Sequence, residues 1–67
     1  MTTVGEDFPR QQERVRKLRE EYLKLPNGAG AFGAEIMDKA LARAAEAQAS
    51  GDVVLIIQAY DELRRFE

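Results

Sequence analysis

The chain has 67 residues, a formal charge of −2 at neutral pH, and neither cysteine nor histidine. At this length folding buries only about 60% of the unfolded surface, so any core is thin. Disulfides are excluded, a structural zinc site has no thiolate or imidazole to build on, and what remains as a source of stability is close helix packing or self-association.

No apolar run in the sequence approaches the roughly 20 residues a membrane span needs. The opening Met1-Thr2-Thr3-Val4-Gly5-Glu6-Asp7 has neither the basic nor the apolar segment of a secretory signal. A soluble, cytoplasmic protein of one domain, 1–67, is expected, with no membrane contact. Residues 1–7 show no apolar period, and disorder is expected there.

The first helix is expected at about 8–25, capped by Asp7 or Phe8, with Pro9 in its first turn where a missing N–H is harmless. Phe8, Val15, Leu18, Tyr22 and Leu25 form its apolar seam, interrupted only at Gln11. Glu13 to Lys17 and Glu20 to Lys24 have the spacing of i,i+4 ion pairs. Pro26 stops the helix and Asn27-Gly28 turns the chain. Between Arg10 and Leu25 six basic residues face three acidic ones, whereas the rest of the chain holds four basic and nine acidic. Arg10, Arg14 and Lys17 share one side of this helix. They suit a solvated, salt-bridged face, an acidic protein surface, or phosphates; interleaved Glu13, Glu20 and Glu21 disfavour nucleic acid.

Gly28-Ala29-Gly30-Ala31-Phe32-Gly33 matches G-x-G-x-x-G letter for letter. The dinucleotide fingerprint requires a strand that feeds the glycines into a helix, and here a charged helix and a proline precede it. A helix-to-helix turn is expected, with no cofactor. Phe32, alone among small residues, is expected to plug the top of the bundle; the other reading makes it a protruding anchor.

The second helix is expected at about 31–49. Ile36, Met37, Ala40, Leu41, Ala44, Ala47 and Gln48 share its apolar face, opposite Glu35, Asp38, Lys39, Ala42, Arg43 and Glu46. Nine alanines lie between positions 29 and 49; they favour helix and permit close approach of neighbours. Ser50-Gly51-Asp52 combines a left-handed helix end with a new cap.

Val53-Val54-Leu55-Ile56-Ile57 also suits a buried strand, but no second run exists to pair with it. A third helix at about 52–66 is therefore expected, antiparallel to the second, with Val53, Ile56, Ile57, Tyr60 and Leu63 as its buried seam and Phe66 beside it. Val54 and Leu55 then point elsewhere, as they would at a partner surface; a central bundle helix is the competing reading.

Two resemblances follow from these residues. Gly51-Asp52 with Ile57, Tyr60 and Leu63 resembles the turn and second helix of a tetratricopeptide unit, which implies helical-hairpin geometry. Phe8-Pro9-Arg10-Gln11-Gln12, Gly30-Ala31-Phe32-Gly33-Ala34, and Gly51-Asp52 followed by Ile57, Ala59 and Tyr60 resemble small helical proteins encoded in phages and prophages of proteobacteria. That resemblance implies a protein that binds and blocks a host factor, for example a defence complex, and it carries no site residues.

The expected fold is all-α with three helices, the second and third forming an antiparallel hairpin and the first packed across them or across a second copy in a homodimer. With no nucleophile-and-base pair or metal set in view, no catalytic residue is assigned. The expected function is a non-enzymatic protein-binding module of the phage inhibitor or regulator type, with Val54, Leu55, Phe32, Arg10, Arg14 and Lys17 as partner-binding residues. The alternatives are a small nucleic-acid-associated regulator using the basic first helix and a structural subunit of a larger assembly.

Overall fold

A computed structural model describes residues 3–67 as three helices, α1 (Val4–Leu23), α2 (Ala31–Ser50) and α3 (Val53–Arg64), with a 3₁₀ turn over Pro26–Gly28. The fold is all-α, and no strand occurs among the described residues. None of the helices is long and apolar enough to cross a membrane. The run Val53–Ile57 is helical, in keeping with its lack of a pairing partner.

Helix α1 begins four residues before the expected position. Its cap is Thr3, not Asp7 or Phe8: the Thr3 hydroxyl accepts the Glu6 N–H at 3.2 Å. Glu6 and Asp7 in the first turn add favourable charge at the positive end of the helix dipole. Pro9 therefore lies inside the helix, where only one turn precedes it and the cost of a missing bond is confined to that turn. The disorder expected for 1–7 is overturned for Val4–Asp7, which are helical, while Met1 and Thr2 lie outside the described residues. The far end stops at Leu23, two residues early. Leu25 takes the extended conformation that a following proline imposes and is exposed rather than part of the seam.

Helix α2 is the centre of the bundle. Ala34, Met37, Ala40, Ala44 and Ala47 are its buried residues; Met37, Ala40, Ala44 and Ala47 belong to the apolar face read from the sequence, whereas Ile36 and Gln48 at its edges are exposed and Ala34 is buried in their place. Gly51 closes the helix in the left-handed conformation, and the Asp52 carboxylate caps α3 by accepting the Val54 N–H at 2.9 Å and the Leu55 N–H at 3.3 Å. A two-residue link of this kind folds α3 back antiparallel on α2.

Contacts fix the third direction. Gln12 and Arg19 of α1 meet Gln48 and Asp38 of α2 in reverse order, whereas Asp7 and Arg14 of α1 meet Tyr60 and the Leu63 carbonyl of α3 in the same order. So α1 packs across both other helices of its own chain, antiparallel to α2 and parallel to α3. The core is Phe8, Val15, Met37, Leu63 and four alanines, bordered by Leu18, Tyr22, Leu41, Ile56, Tyr60 and Phe66. Buried Gln12 replaces the polar break expected at Gln11; its amide donates to Gln48 Oε1 at 3.4 Å.

The glycines that mimic a nucleotide fingerprint have a steric task. A Cβ on Gly30 would overlap the backbone of Tyr22, and one on Gly33 would stand 2.7 Å from the Tyr22 ring. Both are needed for the end of α1 to lie against the start of α2. Backbone cannot yield as a side-chain tip can, so Gly30→Ala should lose about 2–3 kcal/mol. Gly51→Ala, with nothing within 4 Å but a φ of +72°, should lose only about 1 kcal/mol. Urea unfolding of the two variants measures the difference, and equal losses would contradict the close approach.

Candidate interaction surface

Contact with α2 runs through Ala59 and Leu63, with Ile56 and Tyr60 beside them. At 100° per residue this stripe leaves the residues at 53, 57 and 54 on the outer side of α3. Val53 is 66% exposed, Val54 62% and Ile57 51%. The expected burial of Val53 and Ile57 is thus overturned. The cause is Ala59: a small residue that presses on α2 carries little weight in a hydrophobic pattern, yet it sets the rotation of the whole helix.

Val54 and Leu55 do not form one site. Leu55, 45% exposed, lies on the opposite flank of α3 and borders an open groove of about 760 Å³ against α2, with Arg43, Glu46 and Glu62 among its other walls. Arg43 and Glu62 close one side of that groove with a bidentate pair at 2.7 and 3.0 Å. Val4, one turn before the Phe8 that stacks edge-on against Tyr60, is a further partly exposed apolar residue at the start of α1.

Phe32 does not plug the bundle. It is 75% exposed, because Tyr22 already fills the space over Gly30 and Gly33 and position 32 is turned away from that contact. It stands at the opposite end from Val53, with Ile36 one turn further along the same flank.

The three basic residues expected to act together divide. Arg14 is committed to structure: its guanidinium donates to the Leu63 carbonyl at 2.8 Å and the Phe66 carbonyl at 2.7 Å, and to Gln11 at 2.8 Å, which ties down the C-terminus of α3. Arg10 and Lys17 stay exposed, seven residues apart on the outer side of α1. The expected Glu13–Lys17 and Glu20–Lys24 pairs do not form among the described residues. Glu13 pairs with Arg16 at 3.3 Å instead, whose planar fork reaches a carboxylate one turn away as readily as a lysine does.

A polar clasp joins α1 to α3. Tyr60 donates its hydroxyl to Asp7 at 2.7 Å, and Gln11 donates to the same carboxylate oxygen at 3.1 Å. These two hydrogen bonds, the tyrosine's first, hold the Asp7 carboxyl below its ordinary pKa, and nearby Arg10 and Arg64 act in the same sense. Asp7 in turn raises the Tyr60 pKa. Arg64 lies over the Tyr60 ring, 5.4 Å from its centre. Its spacing of four residues from Tyr60 on α3 was a local signal for Arg64, but its place beside Asp7 was not legible, since Asp7 comes from a helix more than fifty residues away.

No family model matches the chain, and no curated protein or solved structure is similar to it.

The clasp predicts a two-sided pH profile. A depressed Asp7 pKa gives a contribution that is complete above about pH 4 and lost as pH falls through the folded value. A raised Tyr60 pKa gives one that is complete below about pH 10 and lost as pH rises through the folded value. Thermal midpoints measured across pH should show Tyr60→Phe with a shallower acid limb than the wild type and without the Tyr60 contribution to the alkaline limb. An acid limb identical to wild type would remove the Tyr60–Asp7 contact as a source of stability.

Proposed function

We propose that this chain is a non-enzymatic protein-binding module that works in the cytoplasm as a phage-type inhibitor or regulator, by covering a surface of a host protein. The observation that carries the reading is the outer side of α3's first turns, where Val53, Val54 and Ile57 face solvent together. β-Branched residues are mediocre helix formers, and at solvent positions they return no core packing. A polar residue there would serve the isolated fold at least as well, so these side chains make physical sense as a contact surface.

Self-association on the same surface is the second reading, favoured by the chain's shape. It exposes 4781 Å² with a radius of gyration of 12.5 Å, whereas a compact monomer of its size exposes about 4,200 Å² and has a radius near 11 Å. The surplus is of the order that one partner contributes to a small interface.

The test pairs wild type with a Val53→Lys, Val54→Lys double variant in a pull-down from nuclease-treated proteobacterial lysate, with light scattering of the purified proteins. The variant should keep its helical circular dichroism, because both positions are exposed. A host protein held in near-stoichiometric amount by the wild type and lost by the variant supports the module. Retention by the variant sinks this surface. Bait alone, with a wild-type dimer that the variant breaks, moves the reading to self-association.

A further inference from the structure

The outer apolar side of α3 does not end in neutral surface. Val53, Ile57, Tyr60 and Arg64 follow the i, i+4, i+7, i+11 spacing of a single stripe, about 16 Å long at 1.5 Å per residue. Tyr60 is hydrogen-bonded to Asp7 of α1, so this stripe meets α1 at Tyr60. Arg10 lies one turn beyond Asp7, and Arg64 stands over Tyr60. Two guanidiniums from two helices thus flank the Asp7–Tyr60 pair.

Neither guanidinium has a carboxylate within ion-pair distance among the described residues. Three nearby acids are otherwise engaged, Asp7 with Tyr60 and Gln11, Asp61 with Arg65 at 2.8 Å and Glu13 with Arg16, while Glu6 lies one turn before Arg10 on the same helix. Arg14, beside them, has its charge met among the described residues only by carbonyl and amide oxygens. One face therefore presents apolar β-branched side chains at one end and an excess of positive charge two to three turns away.

Resting on the module reading above, we infer that this face takes an acidic, amphipathic helical segment of a partner protein, whose apolar residues cover Val53 and Ile57 while its carboxylates reach Arg10 and Arg64. The chemistry selects that partner over the alternatives. Guanidinium forks bind carboxylates in a planar, bidentate manner, and an apolar end of this kind offers nothing to a phosphate backbone. Glu6 and Glu13, one turn to either side of Arg10 on α1, and Asp61, one turn before Arg64 on α3, keep the excess of positive charge small, which suits a short segment with a few carboxylates better than an extended polyanion.

The test titrates the ¹⁵N-labelled protein with three synthetic helical peptides of about 16 residues, enough to span the stripe. All carry two leucines one turn apart; two turns further they carry paired Glu, paired Gln or paired Lys. The Glu peptide should shift the Val53, Val54 and Ile57 amides and the Arg10 and Arg64 side-chain Nε–H signals in a saturable way, and bind at least about tenfold more tightly than the Gln peptide. In the Arg10→Glu, Arg64→Glu variant the preference should reverse in favour of the Lys peptide.

Equal binding of Glu and Gln peptides at Val53 and Ile57 would overturn the acidic partner while leaving an apolar module standing. No saturable shift on this face with any peptide would overturn the inference outright; the pull-down then judges the module separately. A short DNA duplex that displaces the Glu peptide at physiological salt would overturn it in favour of nucleic acid.

Discussion

Close approach between backbones governs this molecule. Tyr22 at the end of α1 lies across Gly30 and Gly33 at the start of α2, and from there the buried face of α2 continues through Ala34, Met37, Ala40, Ala44 and Ala47. Small side chains let α1 and α3 come near enough to α2 for their larger residues, Phe8, Val15 and Leu63, to be enclosed. The arrangement has a cost in apolar area, since an alanine buries far less than a leucine. Much of the cohesion must then come from dense contact rather than from bulk.

Where apolar area runs short, polar contacts bind α1 to α3. Tyr60, Asp7, Gln11 and Arg14 form a continuous hydrogen-bonded series that ends on the carbonyls of Leu63 and Phe66. The same series explains the early start of α1. Asp7 is useful to Tyr60 only if the turn that carries it is helical, and Thr3 supplies the cap that makes it so. At the other end Tyr22 donates its hydroxyl to the Glu67 carbonyl at 3.3 Å, which holds the chain's last residues against the same helix.

The surface that these contacts leave over is what the functional reading uses. Once Ala59 and Leu63 are turned inward, Val53, Val54 and Ile57 are left largely exposed, and Arg64 is carried to the Asp7–Tyr60 pair that Arg10 also borders. Leu55 and Phe32 fall elsewhere, one beside a groove walled by an ion pair and one at the far end of the bundle. Contact area and charge therefore converge on the face shared by α1 and α3.

The local content of the chain was legible from its residues. Pro26, Gly51 and Asp52 punctuate it by backbone rules that hold wherever they occur, and the alanine run and the 3,4 spacing of Phe8, Val15, Leu18 and Tyr22 settle three helices and a hairpin. Rotation about each helix axis was not legible, because it depends on which small residues touch. Ala59 outranks Val53 and Ile57 as a contact only once α2 is in place. The same holds for Gly30 and Gly33, which as letters signal a turn or a phosphate loop and in space make room for Tyr22. Arg14 likewise belongs to a basic row in the sequence and to the end of α3 in the structure. Periodicity ranks residues by apolarity within one helix, whereas packing ranks them by fit against another, and only the assembled bundle supplies the second ranking.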